Sequence, residues 1–214
     1  MINDDAIEFK ATGFDYVNPA ALVVLVGIIP GNTQLLGSRC CKTLREIKRE
    51  NAFAGGMRNN LSRMLDHIGV NMLLGISSCR SLWNEDFDKV EMTSLLKDAT
   101  YYKGKMFNSA SDILRSRKLT NALYNGFIKD CSSYSEAMLF VAMGDGVGRV
   151  LSHLVSEGVI SVPVVVVPHP SGANAGRIAV FLGSKPSGLD LASRRAREQA
   201  IQAKLTISQM RASA

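Results

Sequence analysis

The run Ile160-Ser-Val-Pro-Val-Val-Val-Val-Pro-His-Pro170 narrows the choice of fold further than any other stretch of this chain. From Val162 to Val167, with Ile160 just before, the residues show no polar alternation. A strand written that way is buried on both faces, as in a parallel sheet covered by helices. It stops at Pro168-His169-Pro170, where the prolines remove a ladder donor and restrict their neighbours, holding His169 extended. Ser171 to Arg177 then supplies small residues, an amide and a cation. In open α/β sheets, ligands lie beyond the carboxyl ends of the strands, which is where this cluster falls.

Three more apolar runs read as strands: Ala20–Gly27, Val70–Ile76 and Met138–Met143. Between them, Ser38 can cap a basic helix over 39–50 with a thin apolar stripe. Met57, Leu61, Met64, Leu65 and Ile68 mark a second helix, closed by Gly69. Gly144-Asp-Gly-Val-Gly148 turns a strand into a helix of about ten residues, and 190–210 forms a final helix. Residues 1–19 are expected to cross the sheet edge. The stretch 84–135 holds helix-like pieces around 90–98 and 110–129, and 101–105 reads as an exposed basic loop. Right-handed crossovers then give an α/β fold, a four-stranded parallel sheet with helices on both faces, in one domain over 1–214.

Composition bounds the function. No apolar run reaches the ~20 residues of a membrane span, and the acidic start Met-Ile-Asn-Asp-Asp is unlike a signal peptide. Cys40, Cys41, Cys79 and Cys131 form no CxxC pair, which fits reduced thiols in the cytoplasm and argues against a metal or disulfide framework. A net charge of +6 permits an acidic partner such as nucleic acid. Arg39, Lys42, Arg45, Lys48, Arg49, Arg58 and Arg63 make one basic group, and Lys103, Lys105, Arg115, Arg117 and Lys118 a second. Solvated helix faces explain such runs equally well.

Glycines and polar residues recur after each strand end, at 27–34, 75–83, 144–148 and 168–177. For 144–148 a plain strand-to-helix turn suffices, because the glycines do not follow the GxGxxG arrangement. His67 and His153 lie in amphipathic helices and read as packing or surface residues. His169 differs, since a neutral imidazole fixed at a strand end can donate to an oxyanion.

Three stretches in order resemble the uracil-DNA glycosylase superfamily. Val26-Gly-Ile-Ile-Pro-Gly31 is similar to its first signature loop, His169-Pro-Ser-Gly-Ala-Asn174 to its second, and Phe53-Ala-Gly-Gly-Met-Arg-Asn-Asn-Leu61 to a region of the thermostable bacterial and archaeal branch. The resemblance implies a monofunctional DNA glycosylase that flips a pyrimidine and hydrolyses its N-glycosidic bond without metal or cofactor. It implies that Phe53 stacks on the extruded base, that Pro30, Gly31 and Ser171 hold flanking phosphates, and that His169 donates to the carbonyl oxygen of the leaving base. Ala173 is too small for the wedge usual in that loop, which leaves Asn174 or Arg177 to fill the gap. No Lys sits in these motifs, which argues against a Schiff-base lyase.

Two departures sharpen the reading. Where the family carries an Asp, Asn or Glu in the first loop, this chain has Ile28 and Ile29, so Asn32 becomes the candidate to orient water, with Gln34, Asp15 and Asp145 behind it. Aligning Gly75-Ile-Ser-Ser-Cys-Arg80 with the family's Asn-x-x-Lys-Cys-Arg puts Gly75 in place of a uracil-reading Asn. Base binding would then fall to Phe53, Gly75, Ser77, Ile28 and Ile29, in a pocket opened for a bulky pyrimidine such as glucosylated hydroxymethylcytosine. Such an enzyme, a cytoplasmic monomer acting on DNA, would serve in defence against phage. The alternatives are a repair glycosylase for uracil or mismatches, a DNA- or protein-binding relative without activity, and an α/β enzyme acting on a nucleotide.

Overall fold

The structure, a computed structural model, describes residues 2–12, 16–31 and 42–213. In chain order the strands are β1 (Ile7–Lys10), β2 (Val23–Gly27), β3 (Val90–Ser94), β4 (Ala99–Tyr102), β5 (Lys105–Met106), β6 (Leu139–Met143) and β7 (Val164–Val167). The longer helices are α1 (Leu44–Asn51), α2 (Gly56–Ile68), α3 (Arg117–Leu123), α4 (Asp145–Ser156), α5 (Ala175–Phe181) and α6 (Leu191–Ala212).

The expected four-stranded parallel sheet is present, in the spatial order β3-β2-β6-β7. Central strand β2 is buried along its whole length because both its faces are covered. Val23 and Leu25 join one apolar cluster with α2, α5 and α6, while Val24 and Val26 join another with α3 and α4. The helices therefore flank the sheet on both faces. The valine run of β7 is less enclosed than its composition implies. Val165 and Val167 are buried, but Val164 and Val166 are half-buried, because β7 is an edge strand.

The second strand is not where the sequence suggests. Val70–Leu73 is a turn of helix and not the first part of a strand. Gly69, at φ 90°, ends α2, and the chain then re-enters a helix. Val70, Leu73 and Leu74 recur at helical spacing, the period that a strand reading overlooks. The missing strand is β3, within the stretch expected to be helical. Its alternation of Val90, Met92 with Glu91, Thr93 is real, yet all five residues are buried. Helix α1 lies against this edge strand, and its Lys48 pairs with Glu91.

Further corrections concern the ends of the chain's elements. Residues 7–10 form β1, which pairs with β4 in a separate antiparallel sheet, order β1-β4-β5. The supposed basic loop 101–105 is the β4–β5 hairpin, in which Tyr102 pairs with Lys105 around Lys103 and Gly104 at φ 50° and 72°. Both central residues at positive φ match the primed turns that suit strand twist. Ser38 lies outside the described residues, and the described helix α1 is instead capped by Thr43 in a reciprocal pairing with Glu46.

Gly148 explains how α4 reaches the sheet. A Cβ there would stand 2.7 Å from Cγ2 of Val166, a β-branched side chain with little freedom to yield. Gly148→Ala is expected to destabilise the protein by about 1–3 kcal/mol, read as a lower urea midpoint with an unchanged slope.

Candidate active site at the carboxyl edge of the parallel sheet

Numbered by occurrence, the parallel strands run second, first, third, fourth, so the order reverses between β2 and β6. The crevice beyond such a reversal is where open α/β sheets bind ligands. Here it is built from Gly27 at the end of β2, Ser94 at the end of β3, Met143 at the end of β6 with Gly144 after it, and His169 after β7. A Cβ on Gly27 would lie 3.4 Å from Met143 Cε, 3.6 Å from Phe53 Cε1 and 3.6 Å from Ser94 Oγ. One on Gly144 would lie 3.8 Å from His169 Cβ. Five separate segments thus line this edge, with Phe53, Ser94 and Met143 gathered around Gly27 and His169 against Gly144.

Phe53 enters the crevice from the turn between α1 and α2. It is 6% exposed and adopts φ 51°, a left-handed conformation that costs a non-glycine residue roughly 1–2 kcal/mol. Arg58 braces the turn, its Nε donating to the Ala52 carbonyl at 3.0 Å and its guanidinium NH2 to the Arg49 carbonyl at 2.6 Å. The ring fills the space beside Gly27. Pro30, Lys48, Phe53, Thr93, Ser94 and Lys97 border a cavity of only about 20 Å³, room for a single water.

His169 is half-buried, and burial pushes its pKa below the ordinary histidine value, which keeps the ring neutral at neutral pH. Its Nδ1 accepts from the Ser171 backbone N–H at 3.3 Å, which assigns the proton to Nε2. The loop around it is tied at three points. Asn174 donates to the His169 carbonyl at 3.2 Å and to Ser171 Oγ at 3.4 Å, and Asn60 of α2 donates to the Pro170 carbonyl at 2.9 Å. A neutral imidazole with its proton on Nε2 is therefore carried by a braced loop.

Beside it, Asp145 opens α4 and receives Arg177 at 3.1 Å, the Gln199 side-chain amide and, at 4.0 Å, Arg195. It acts as a tie between α5, which follows the last loop, and α6. Arg177 and Asn174 therefore do not project as wedges, since each is half-buried and engaged within the protein. Ala173, at the loop tip, is exposed.

Of the described residues of the first loop, only Pro30 borders the small cavity beside Phe53. Ile28 and Ile29 pack against the cluster of α3 and α4, and Pro30 is buried. The Ile28 carbonyl accepts from Leu96 N–H at 3.0 Å, so the pairing of β2 with the segment after β3 continues beyond the strands. Asn32, Gln34 and Asp15 lie outside the described residues.

Gly75 is not brought into contact with the crevice residues, and the segment that Gly75 and Ser77 open is tied instead to α2, through Ser78 and Cys79 to Asp66. Helix α6 touches Asp145 through Arg195 and Gln199 near its start, and its far end covers Gly69 and Met72 through Ile207 and Arg211. The sixteen steps from residue 195 to residue 211 span about 24 Å of helix. Gly75 lies three residues beyond Met72, to whose carbonyl its N–H donates at 3.4 Å, is exposed, and has nothing within 4 Å of a Cβ position. The structure does not bring it to His169. The misread strand is the cause, since a strand over 70–76 would have ended at the crevice.

Sequence reasoning also missed Ser94, Asn60 and Lys97. The first two reach the loops only through a strand hidden by its polar residues and a helix face judged by its apolar side. The first basic group is largely occupied: Lys42 pairs with Glu50, Arg45 with Asp88, Lys48 with Glu91, and Arg58 with backbone carbonyls. His67 packs near the Phe181 ring and His153 is exposed, as their helical settings imply. Burial drives the Cys131 thiol up to about 12 and that of Cys79 higher, so neither is poised as a nucleophile. Among the described residues no three His, Cys, Asp or Glu side chains gather as a metal site requires.

Over 186 residues the chain is 26% identical to YoxB, an uncharacterized protein of Bacillus subtilis (strain 168), covering 80% of this chain and 73% of YoxB. No family model and no solved structure matches it. The likeness to YoxB brings no activity with it. No helix among the described residues is long and apolar enough to cross a membrane.

Proposed function

We propose that this chain is a DNA glycosylase of the uracil-DNA glycosylase type, acting on an extruded pyrimidine without metal or cofactor. The observation that carries the proposal is the neutral His169, with its proton on Nε2, held beside Gly144 at the carboxyl edge of the sheet, the edge at which Phe53 packs beside Gly27. In the reaction the bond between the sugar C1′ and the base nitrogen breaks, and its electron pair moves onto the base. The Nε2–H of His169 stabilises the charge that grows on the base carbonyl oxygen. Water adds to C1′ and its released proton passes through solvent to the base anion, leaving neutral free base and an abasic site. Asn32 is proposed to orient that water, since the Ile28 and Ile29 side chains can neither accept a proton nor reach the crevice.

A cavity fit for one water does not hold a base, so substrate entry requires the Phe53 turn to shift and offer its ring face. The choice of a bulky modified pyrimidine, and a defensive role with it, depends on Gly75 and the first-loop isoleucines; Gly75 makes no contact at the crevice and Ile28 and Ile29 pack against the α3 and α4 cluster, so neither supports it. The substrate is therefore proposed as a pyrimidine whose substituents are unspecified.

The test is base release from DNA containing uracil, hydroxymethylcytosine or its glucosylated form, counting free base and abasic sites with wild-type protein and with His169→Ala. Release that disappears in the variant supports the reading. DNA affinity that falls with salt, without release from any substrate, identifies a binding module instead.

A further inference from the structure

A groove of about 1030 Å³ runs along the β4–β5 hairpin and the segment that follows it. Tyr102, Lys103, Lys105, Phe107, Ser109 and Arg115 line it. The hairpin presents its charges rigidly. Lys103 and Gly104 occupy the two positive-φ positions of a tight turn, β4 is paired on both sides, and Lys103 Nζ sits 5.4 Å from the centroid of the Tyr102 ring. Lys103, Lys105 and Arg115 are exposed, and the Arg115 guanidinium, paired with Asp112 at 3.7 Å, keeps 74% of its side chain in solvent. Among the described residues lining the groove, three cations face the single carboxylate of Asp112.

One end of the groove lies close to the crevice. Ser109 precedes Ala110, whose Cβ is 3.1 Å from the position a Cβ would take on Gly146. Gly146 stands two residues beyond Gly144, which abuts His169. The absence of a side chain at 146 is what lets this wall of the groove close on the start of α4.

We propose that the groove binds single-stranded DNA, with phosphates on Lys103, Lys105 and Arg115 and a base stacked on Tyr102. The half-exposed ring among cations decides for a single strand. Stacking on an aromatic side chain is open to unpaired bases, whereas duplex bases already stack on each other and an acidic peptide offers charge without a flat face. That this strand continues to the nucleotide at His169 rests on the glycosylase reading; the binding itself does not.

The full chain would be titrated with a labelled oligothymidylate carrying no modified base, followed by fluorescence anisotropy at several salt concentrations. Tyr102→Ala is expected to weaken binding about tenfold. Combining Lys103→Asn, Lys105→Gln and Arg115→Gln is expected to lower the slope of log affinity against log salt by about 2, near 0.7 for each lost phosphate contact. Asn is chosen at 103 because it tolerates the left-handed turn, so the hairpin is retained. An unchanged slope, Tyr102→Ala binding like wild type, equal affinity for duplex DNA or polyglutamate, or tighter binding of oligouridylate overturns the proposal. Base release enters none of these readouts. Intact oligothymidylate binding without glycosylase activity removes the reaction and leaves the groove, and activity without groove-dependent binding does the reverse.

Discussion

His169→Ala is expected to reduce base release about 10²–10³-fold, the loss typical when one donor to a developing oxyanion is removed. The KM for DNA should change little, because the imidazole acts on charge that appears only as the bond breaks. The side chain is half-buried and only its Nδ1 is engaged, so the variant should fold. His169→Gln is the informative companion. Its amide can reach the position of Nε2 as a neutral donor, and it should recover part of the lost rate. The pH profile separates this role from a structural one. Burial lowers the His169 pKa, so the neutral ring persists as the pH falls through the ordinary value of about 6.5. Any change in kcat/KM from its protonation should appear only on the acid side of that value, and it should be absent from His169→Gln.

The largest stability effect is expected at the buried pair between Lys48 and Glu91. Both side chains are almost wholly enclosed, at 3% and 0% exposure, and each has a second partner. Lys48 Nζ donates to the Tyr16 carbonyl at 2.6 Å, and Glu91 accepts from the Asn18 backbone N–H at 2.8 Å. Burial pushes Lys48 down and Glu91 up, each toward its neutral form, and their contact opposes that push. Lys48→Met strands the carboxyl and is expected to cost about 3–5 kcal/mol in urea unfolding. Adding Glu91→Leu should recover most of it, because the second change removes the uncompensated group. The single variant also carries a pH signature. With Glu91 raised above its unfolded value, the native state binds the extra proton, so stability is greatest below the unfolded pKa and falls as pH rises through the folded one. Relative to wild type, Lys48→Met should therefore lose more at about pH 8 than at about pH 5.

That pair also shows why part of the fold was legible in sequence and part was not. Ala20–Gly27 and the valines before Pro168 announce strands because every side chain is apolar, and a parallel sheet accepts nothing else at its centre. Strand β3 lies at the edge, where α1 can supply a lysine, so Glu91 could enter the interior and erase the pattern. The apolar spacing of Val70, Leu73 and Leu74 did carry a helical signal, but the run was short enough to be taken for a strand. One misplaced strand then predicted a base-reading loop at the crevice, where Gly75 makes no contact. The crevice itself was more legible. Loops after β2, β6 and β7 were identified from glycine and proline alone, and the conformation of Phe53 could not have been, because it depends on how Arg58 folds back on the preceding turn.

The tie at Asp145 has a consequence for how an anion meets the last loop. Arg177 already faces a carboxylate, so a phosphate arriving there must exchange with Asp145 and cannot simply add to an open cation. Such an exchange frees a protein group where an exposed lysine would release a counterion to solvent. Arg177 should thus contribute less to the salt dependence of DNA binding than its charge implies. The displaced carboxylate would stay held by Gln199 and near Arg195, both on α6. Occupancy of the loop would then be felt as a change of partners on the C-terminal helix.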